Sequence, residues 1–228
     1  FALRAQPQCD QASMGAAGAF LYLSAYWHCS PRIDRSPMLL FFAVALFAVI
    51  HLIPAFPSLK ARLKGRLGKA YGMLCAAGSI ISLVLIVLGW QMADRVQVYD
   101  PPIWGFRANL ALSFVAFLLI GVFLFRGRAR QFLRLPLAMA VVLWATGHLL
   151  ANGDQASIIL FGGLLAYGAT HLAAGFAQGF RPSPEVRQGH DVIALFVGVA
   201  LYGVAIQMHQ HVIGVALFSI QDMAIFAK

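Results

Sequence analysis

The sequence predicts an all-α, polytopic integral membrane protein of about six transmembrane helices in one bundle. Three observations carry that prediction. Hydrophobic residues make up 61% of the chain and charged ones 11%, whereas soluble domains carry roughly 25% charged residues. The apolar residues fall into runs near the roughly 20 residues that cross a bilayer as a helix. The cations gather in alternate connections between those runs.

In chain order, residues 1–37 mix Arg, Gln, Asp and Pro around a short apolar patch at 15–27. No small-x-small site follows the patch where a secretory signal would be cleaved. Met38, directly before the first strong apolar run, is the expected start of a membrane domain over 38–218. The preceding residues are expected to be a poorly ordered, peripheral or non-native extension, and 219–228 a tail. Six spans follow, at 39–56, 71–92, 109–125, 135–151, 155–178 and from 192 to a fading end near 211. All are read as helices, because isolated strands leave their backbone groups unsatisfied in lipid. Pro54 is placed to kink the first.

The connections orient the bundle. Lys60, Arg62, Lys64, Arg66 and Lys69 fill the first, Arg126, Arg128, Arg130 and Arg134 the third, and Arg181 and Arg187 the fifth. The second sets two acids against Arg95 and Arg107, and the fourth holds only Asp154. Basic odd connections predict a cytoplasmic side there, with both termini periplasmic in a bacterial inner membrane. A formal charge of +9 would suggest nucleic acid in a soluble protein. Here the cations flank apolar spans, and membrane lipids with anionic headgroups are the expected partner. Cys9, Cys29 and Cys75 show no CxxC spacing, which argues against a disulfide framework or a structural zinc site. Gly162, Gly163, Gly168, Gly198 and Gly203 are read as small residues that let helices approach closely.

The stretch Trp144 to Asp154, WATGHLLANGD, places His148 inside an apolar helix. Ionisable groups in hydrocarbon are costly and point to function. At 1.5 Å per residue, His148 and His209 lie toward the ends of outward-running spans, and His51 and His171 toward the ends of inward-running ones. A haem with two imidazole ligands needs them at one depth. Depth therefore pairs His148 with His209, or His51 with His171. Neutral imidazole suits iron, and sparse carboxylates suit haem better than a hydrolytic metal. Asn152 and Asp154 have two readings: they terminate one helix and cap the next, or they support His148 from behind. The Walker A, Rossmann, HExxH and GxSxG patterns do not occur, so soluble-type nucleotide or hydrolase chemistry is not expected.

WATGHLLANGD and the ensuing SIILFGGLLAYG closely resemble the NnrU family of bacterial membrane proteins. The resemblance extends from His51, with Pro57, Ser58 and the basic run into RLGKAY, to HQHVIGV around His209. It implies a role in denitrification and nitric oxide metabolism, and kinship with 15-cis-zeta-carotene isomerase. By that kinship the cofactor is haem b, with His51 and His148 as the implied iron ligands. The implied pair and the depth pairing differ. This chain also departs from the family at the RHP triplet before the fourth span, where it reads Arg134, Leu135, Pro136. Three functions follow as expectations. The first is a haem-binding membrane protein of nitrogen-oxide metabolism. The second is a haem-dependent isomerase acting on a hydrophobic polyene, with Leu135 counting against it. The third is a cofactor-free assembly or transport factor, although no internal repeat is evident.

Overall fold

The computed structural model describes residues 37–182 and 185–213, apart from the side chains at 210, 212 and 213. The readings of 1–36 and of the tail at 219–228 lie outside the described residues. Eight α-helices are named here: α1 Met38–Leu52, α2 Pro57–Leu67, α3 Ala70–Met92, α4 Gly105–Leu124, α5 Arg128–Leu133, α6 Pro136–Ala151, α7 Gln155–Ala177 and α8 His190–Ile213. A single 3-10 turn, Ile53–Ala55, extends α1 to Ala55. Among the described residues five apolar segments are long enough to cross a membrane, and α6 is a sixth, shorter one. The chain is an all-α, polytopic membrane protein.

Pro54 sits in the first turn of the 3-10 segment. There the missing N–H and fixed φ tighten the helix end instead of kinking its middle. Pro57 and Pro136 open α2 and α6, positions where the lost N–H has no intrahelical partner anyway. The third span starts at Gly105, earlier than the apolar run alone suggests, because Phe106 and Arg107 already lie within the helix.

The transmembrane helices pack side by side in the order α3, α1, α7, α6, α4, α8. Leu40, Val44 and Ala156 centre one buried cluster, and Ala116, Leu119 and Ala140 the other. Elsewhere apolar side chains face outward; Ile80, Ile81, Val84 and Val87 of α3 are each more than half exposed. A soluble protein would not leave such surface in water. It is the lipid-facing surface of the protein.

Small residues set the seams. A Cβ on Gly198 would lie 2.8 Å from the Leu118 Cα, and one on Gly121 would run into the Ala194 carbonyl, so α4 and α8 meet backbone to backbone. Gly163 faces Val44 and Gly168 faces Val142, as expected of close-packing glycines. Gly162 and Gly203 face open space instead. Composition identifies small residues but not which side of a helix meets a neighbour.

Two ends of the molecule are distinct. At the basic end lie α2, α5 and the connection from α7 to α8. At the far end, residues 96–99 cross over the turn at 152–155 and form a strap. Val98 N and Tyr99 N both donate to the Gly153 carbonyl, at 2.9 and 3.2 Å, and Gln155 N donates to Val96 O at 2.8 Å.

Candidate functional site

His148 lies in the last turn of α6. The preceding apolar run makes that helix, and Asn152 ends it with extended backbone (φ −133, ψ 121). The imidazole Nδ1 is 2.9 Å from the Trp144 carbonyl one turn back. Since a carbonyl only accepts, Nδ1 carries the proton and Nε2 keeps a lone pair. The ring stacks on Phe161 of α7 at 4.3 Å between centroids, with Trp144 at 4.6 Å. Phe161 also meets Trp90 of α3 edge-on at 6.1 Å, and Arg95 lies over the Trp90 ring. His148 thus has a fixed tautomer, aromatic walls and a second nitrogen that carries a lone pair.

The backbone around it is held from the strap. The Tyr99 hydroxyl lies against the carbonyls of Leu149 and of Asn152, the latter at 2.9 Å. Burial and, after it, the Asp154 carboxylate hold the Tyr99 phenol above its usual pKa range, so it stays a donor at neutral pH. Asn152 donates from its backbone and from Nδ2 to the His148 carbonyl, each at 2.9 Å. Asp154 caps α7, accepting from Ser157 N at 3.0 Å and Ser157 Oγ at 2.5 Å. Both residues thus act on helix ends, with Asn152 fixing the His148 backbone rather than its ring.

His209 stands at the same end. It follows Tyr202 by seven residues on α8, two turns along the same face and about 10 Å farther toward the strap. Tyr202 fixes that face on α4 by donating to Leu110 O at 2.9 Å.

His51 and His171 lie toward the basic end. His51 Nδ1 is 2.9 Å from Phe47 O, repeating the His148 device. Its ring stacks on Phe47 at 3.9 Å and faces Tyr167 edge-on at 6.3 Å. Tyr167 in turn lies 3.4 Å from His171 Nδ1 through its hydroxyl. His148 is therefore level with Phe161, and His51 with Tyr167. Six residues of α7 separate those levels by about 9 Å. The structure brings His51 to Tyr167 and, through it, to His171; it sets His209 toward the same end as His148, and His51 at a different level from His148. Among the described residues no three His, Cys, Asp or Glu side chains converge as a polydentate metal site would require.

The family profile described as NnrU protein matches residues 39–217. The chain belongs to the NnrU family. Neither the curated proteins nor the solved structures provide a match. The departure from the NnrU pattern at Leu135 can now be placed. Leu135 precedes α6, and its Cδ1 packs where a Cβ on Gly175 of α7 would lie, 2.5 Å away. It is thirteen residues from His148, about 20 Å along α6. Leu135 thus lies toward the basic end, with His51 and His171.

Sequence reasoning missed Tyr99 and Asn109. Tyr99 sits in a polar connection and reaches α6 only through the strap. Asn109 is buried between α4 and α6, accepts from Ser113 Oγ at 3.1 Å, and lies 2.7 Å from where a Cβ on Gly147 would be. A buried amide in a transmembrane helix was a legible signal; its neighbour Gly147 was not.

Proposed function

We propose that this NnrU protein is a haem-binding membrane protein of nitrogen-oxide metabolism, with His148 and His209 as the iron ligands. The observation that carries the proposal is the His148 imidazole, with Nδ1 tied to the Trp144 carbonyl and Nε2 left with its lone pair. A metal-bound histidine commonly has its other ring nitrogen fixed in this way. Haem b bound there would supply an iron able to take up and release one electron. The chain's own groups orient the ligand: Phe161 and Trp144 restrain the ring, while Asn152 and Tyr99 hold the helix end. His51 has the same fixed tautomer, but its different level argues against sharing one iron with His148. The basic connections support a bacterial inner-membrane orientation with the His148 end toward the periplasm.

Visible and pyridine haemochrome spectra of protein from haem-replete cells test this. The expected result is about one low-spin haem per chain. His148→Ala should lose it, His209→Ala should lose it or convert it to high spin, and His51→Ala should keep it. A colourless wild-type protein overturns the proposal. Retention in His209→Ala with loss in His51→Ala replaces the pairing with the one the family implies.

A further inference from the structure

Helix α2 has the sequence PSLKARLKGRL and no buried residue. Eleven residues are fewer than the roughly 12–15 at which an isolated helix becomes even marginal in water. A helix this short therefore needs a surface to lie on. Leu59, Leu63 and Leu67 recur every fourth residue and form one stripe about 80° wide. Leu59 and Leu67 are 41% and 40% exposed and Leu63 is half-buried, so the protein itself leaves the stripe only partly covered. Lys60 and Lys64 flank it on one side, and Arg62 and Arg66 on the other. Ala61 and Gly65 lie opposite.

The ends of α2 fix its depth. On one side the chain comes from the 3-10 turn through Phe56, and the Ala55 carbonyl accepts from Gln178 Nε2 at 2.5 Å. On the other, Gly68 turns with φ +54, a left-handed conformation suited to glycine, and α3 begins at Ala70. Two apolar membrane helices thus hold α2 at the boundary of the hydrocarbon. An apolar stripe with cations on both flanks, held at that level, has the form of a helix lying in the interface. The cations can extend from the stripe to the headgroups while their methylene stems stay in apolar surroundings.

We infer that α2 is an in-plane binding surface for anionic phospholipid headgroups, with its leucines in the acyl-chain boundary and Lys60, Arg62, Lys64 and Arg66 around the phosphates. Charge complementarity selects this occupant: the flanks carry four cations and α2 contains no acid. The inference is independent of the haem proposal.

Two measurements on the full chain test it, after reconstitution in phosphatidylcholine bilayers containing phosphatidylglycerol. The first uses spin labels at Leu63→Cys and Ala61→Cys, each with Cys9, Cys29 and Cys75 replaced by Ala. The label at 63 should be relaxed by oxygen and shielded from a water-soluble nickel complex, and the label at 61 the reverse. Equal nickel access at both positions overturns the inference and leaves the stripe to a protein partner. The second measures the lipid retained on mild detergent extraction. Phosphatidylglycerol should be enriched about threefold over its bulk fraction at low salt and less at high salt. The enrichment should vanish in the combined Lys60→Gln, Arg62→Gln, Lys64→Gln, Arg66→Gln variant and survive in Arg62→Lys, Arg66→Lys. An undiminished excess in the glutamine variant overturns the inference. The spin-label result stands even where that variant fails to fold.

Discussion

The two ends of this bundle hold histidines in the same local way and support them differently. His51 and His148 each tie Nδ1 to a carbonyl one turn back and stack on an aromatic ring. Around His148 much of the support is main chain: the strap bonds to Gly153 and Gln155, and a Cβ on Gly105 would collide with the Leu150 carbonyl, while the Tyr99 hydroxyl and the Asn152 amide add to it. Around the basic end, side chains make most of the joins, beside a main-chain bond from Arg187 N to Arg126 O at 2.9 Å. Leu135 packs at Gly175, Gln178 reaches Ala55, and Arg126 pairs with Glu185 at 2.7 Å on an exposed surface. Exposed pairs of that kind contribute about 0–1 kcal/mol. Main-chain contacts cannot rotate aside, whereas side chains can. The far end is therefore the more rigidly held of the two.

The largest test of that contrast sets Gly153→Val against Gly175→Ala. A Cβ at 153 would meet the Tyr99 carbonyl, and one at 175 the terminal methyl of Leu135. Unfolding in mixed micelles should show Gly153→Val losing about 3 kcal/mol and Gly175→Ala less than about 1 kcal/mol. Equal losses would erase the distinction between the ends. Tyr99→Phe should have a smaller effect, about 1 kcal/mol, from the lost hydrogen bond to the end of α6. The pH dependence has a definite sign. The folded protein holds the Tyr99 phenol above its ordinary pKa. Its contribution is therefore complete below that ordinary value, about 10, and is lost as pH rises through the higher folded value. Wild type should destabilise more steeply than Tyr99→Phe in that alkaline window. Parallel curves would remove Tyr99 from the support of this site.

Much of the fold was legible because lipid imposes local rules. Each apolar run had to become a helix, and the regular spacing of the basic connections marked where runs ended. The levels of the four histidines also followed from counting residues, since helical rise is fixed. What could not be read was pairwise. The strap depends on Val98 and Tyr99 meeting Gly153 across more than fifty residues of chain, and no local pattern encodes that meeting. Helix α2 was hidden differently: its cations read as a loop that orients the bundle, and the leucines between them looked incidental. The two readings of Asn152 and Asp154 could be compared only once the positions of the His148 carbonyl and Ser157 N were known. The Leu135 departure, which counts against the isomerase reading, lies at the opposite end of α6 from His148.

The brevity of α6 has a consequence for the membrane itself. Its 16 residues rise about 24 Å, short of a hydrocarbon core of roughly 30 Å, while α3 and α7 have 23 residues each. Beside the polar turn at 152–154 the bilayer must thin, or the turn must sink among acyl chains. Thinning costs fractions of a kcal/mol per Å of mismatch and brings interfacial water closer to His148. Thermal stability should therefore peak in lipids of shorter acyl chain than α3 or α7 would select. An optimum at the chain length matching those two helices would mean that the bilayer does not dimple at this site.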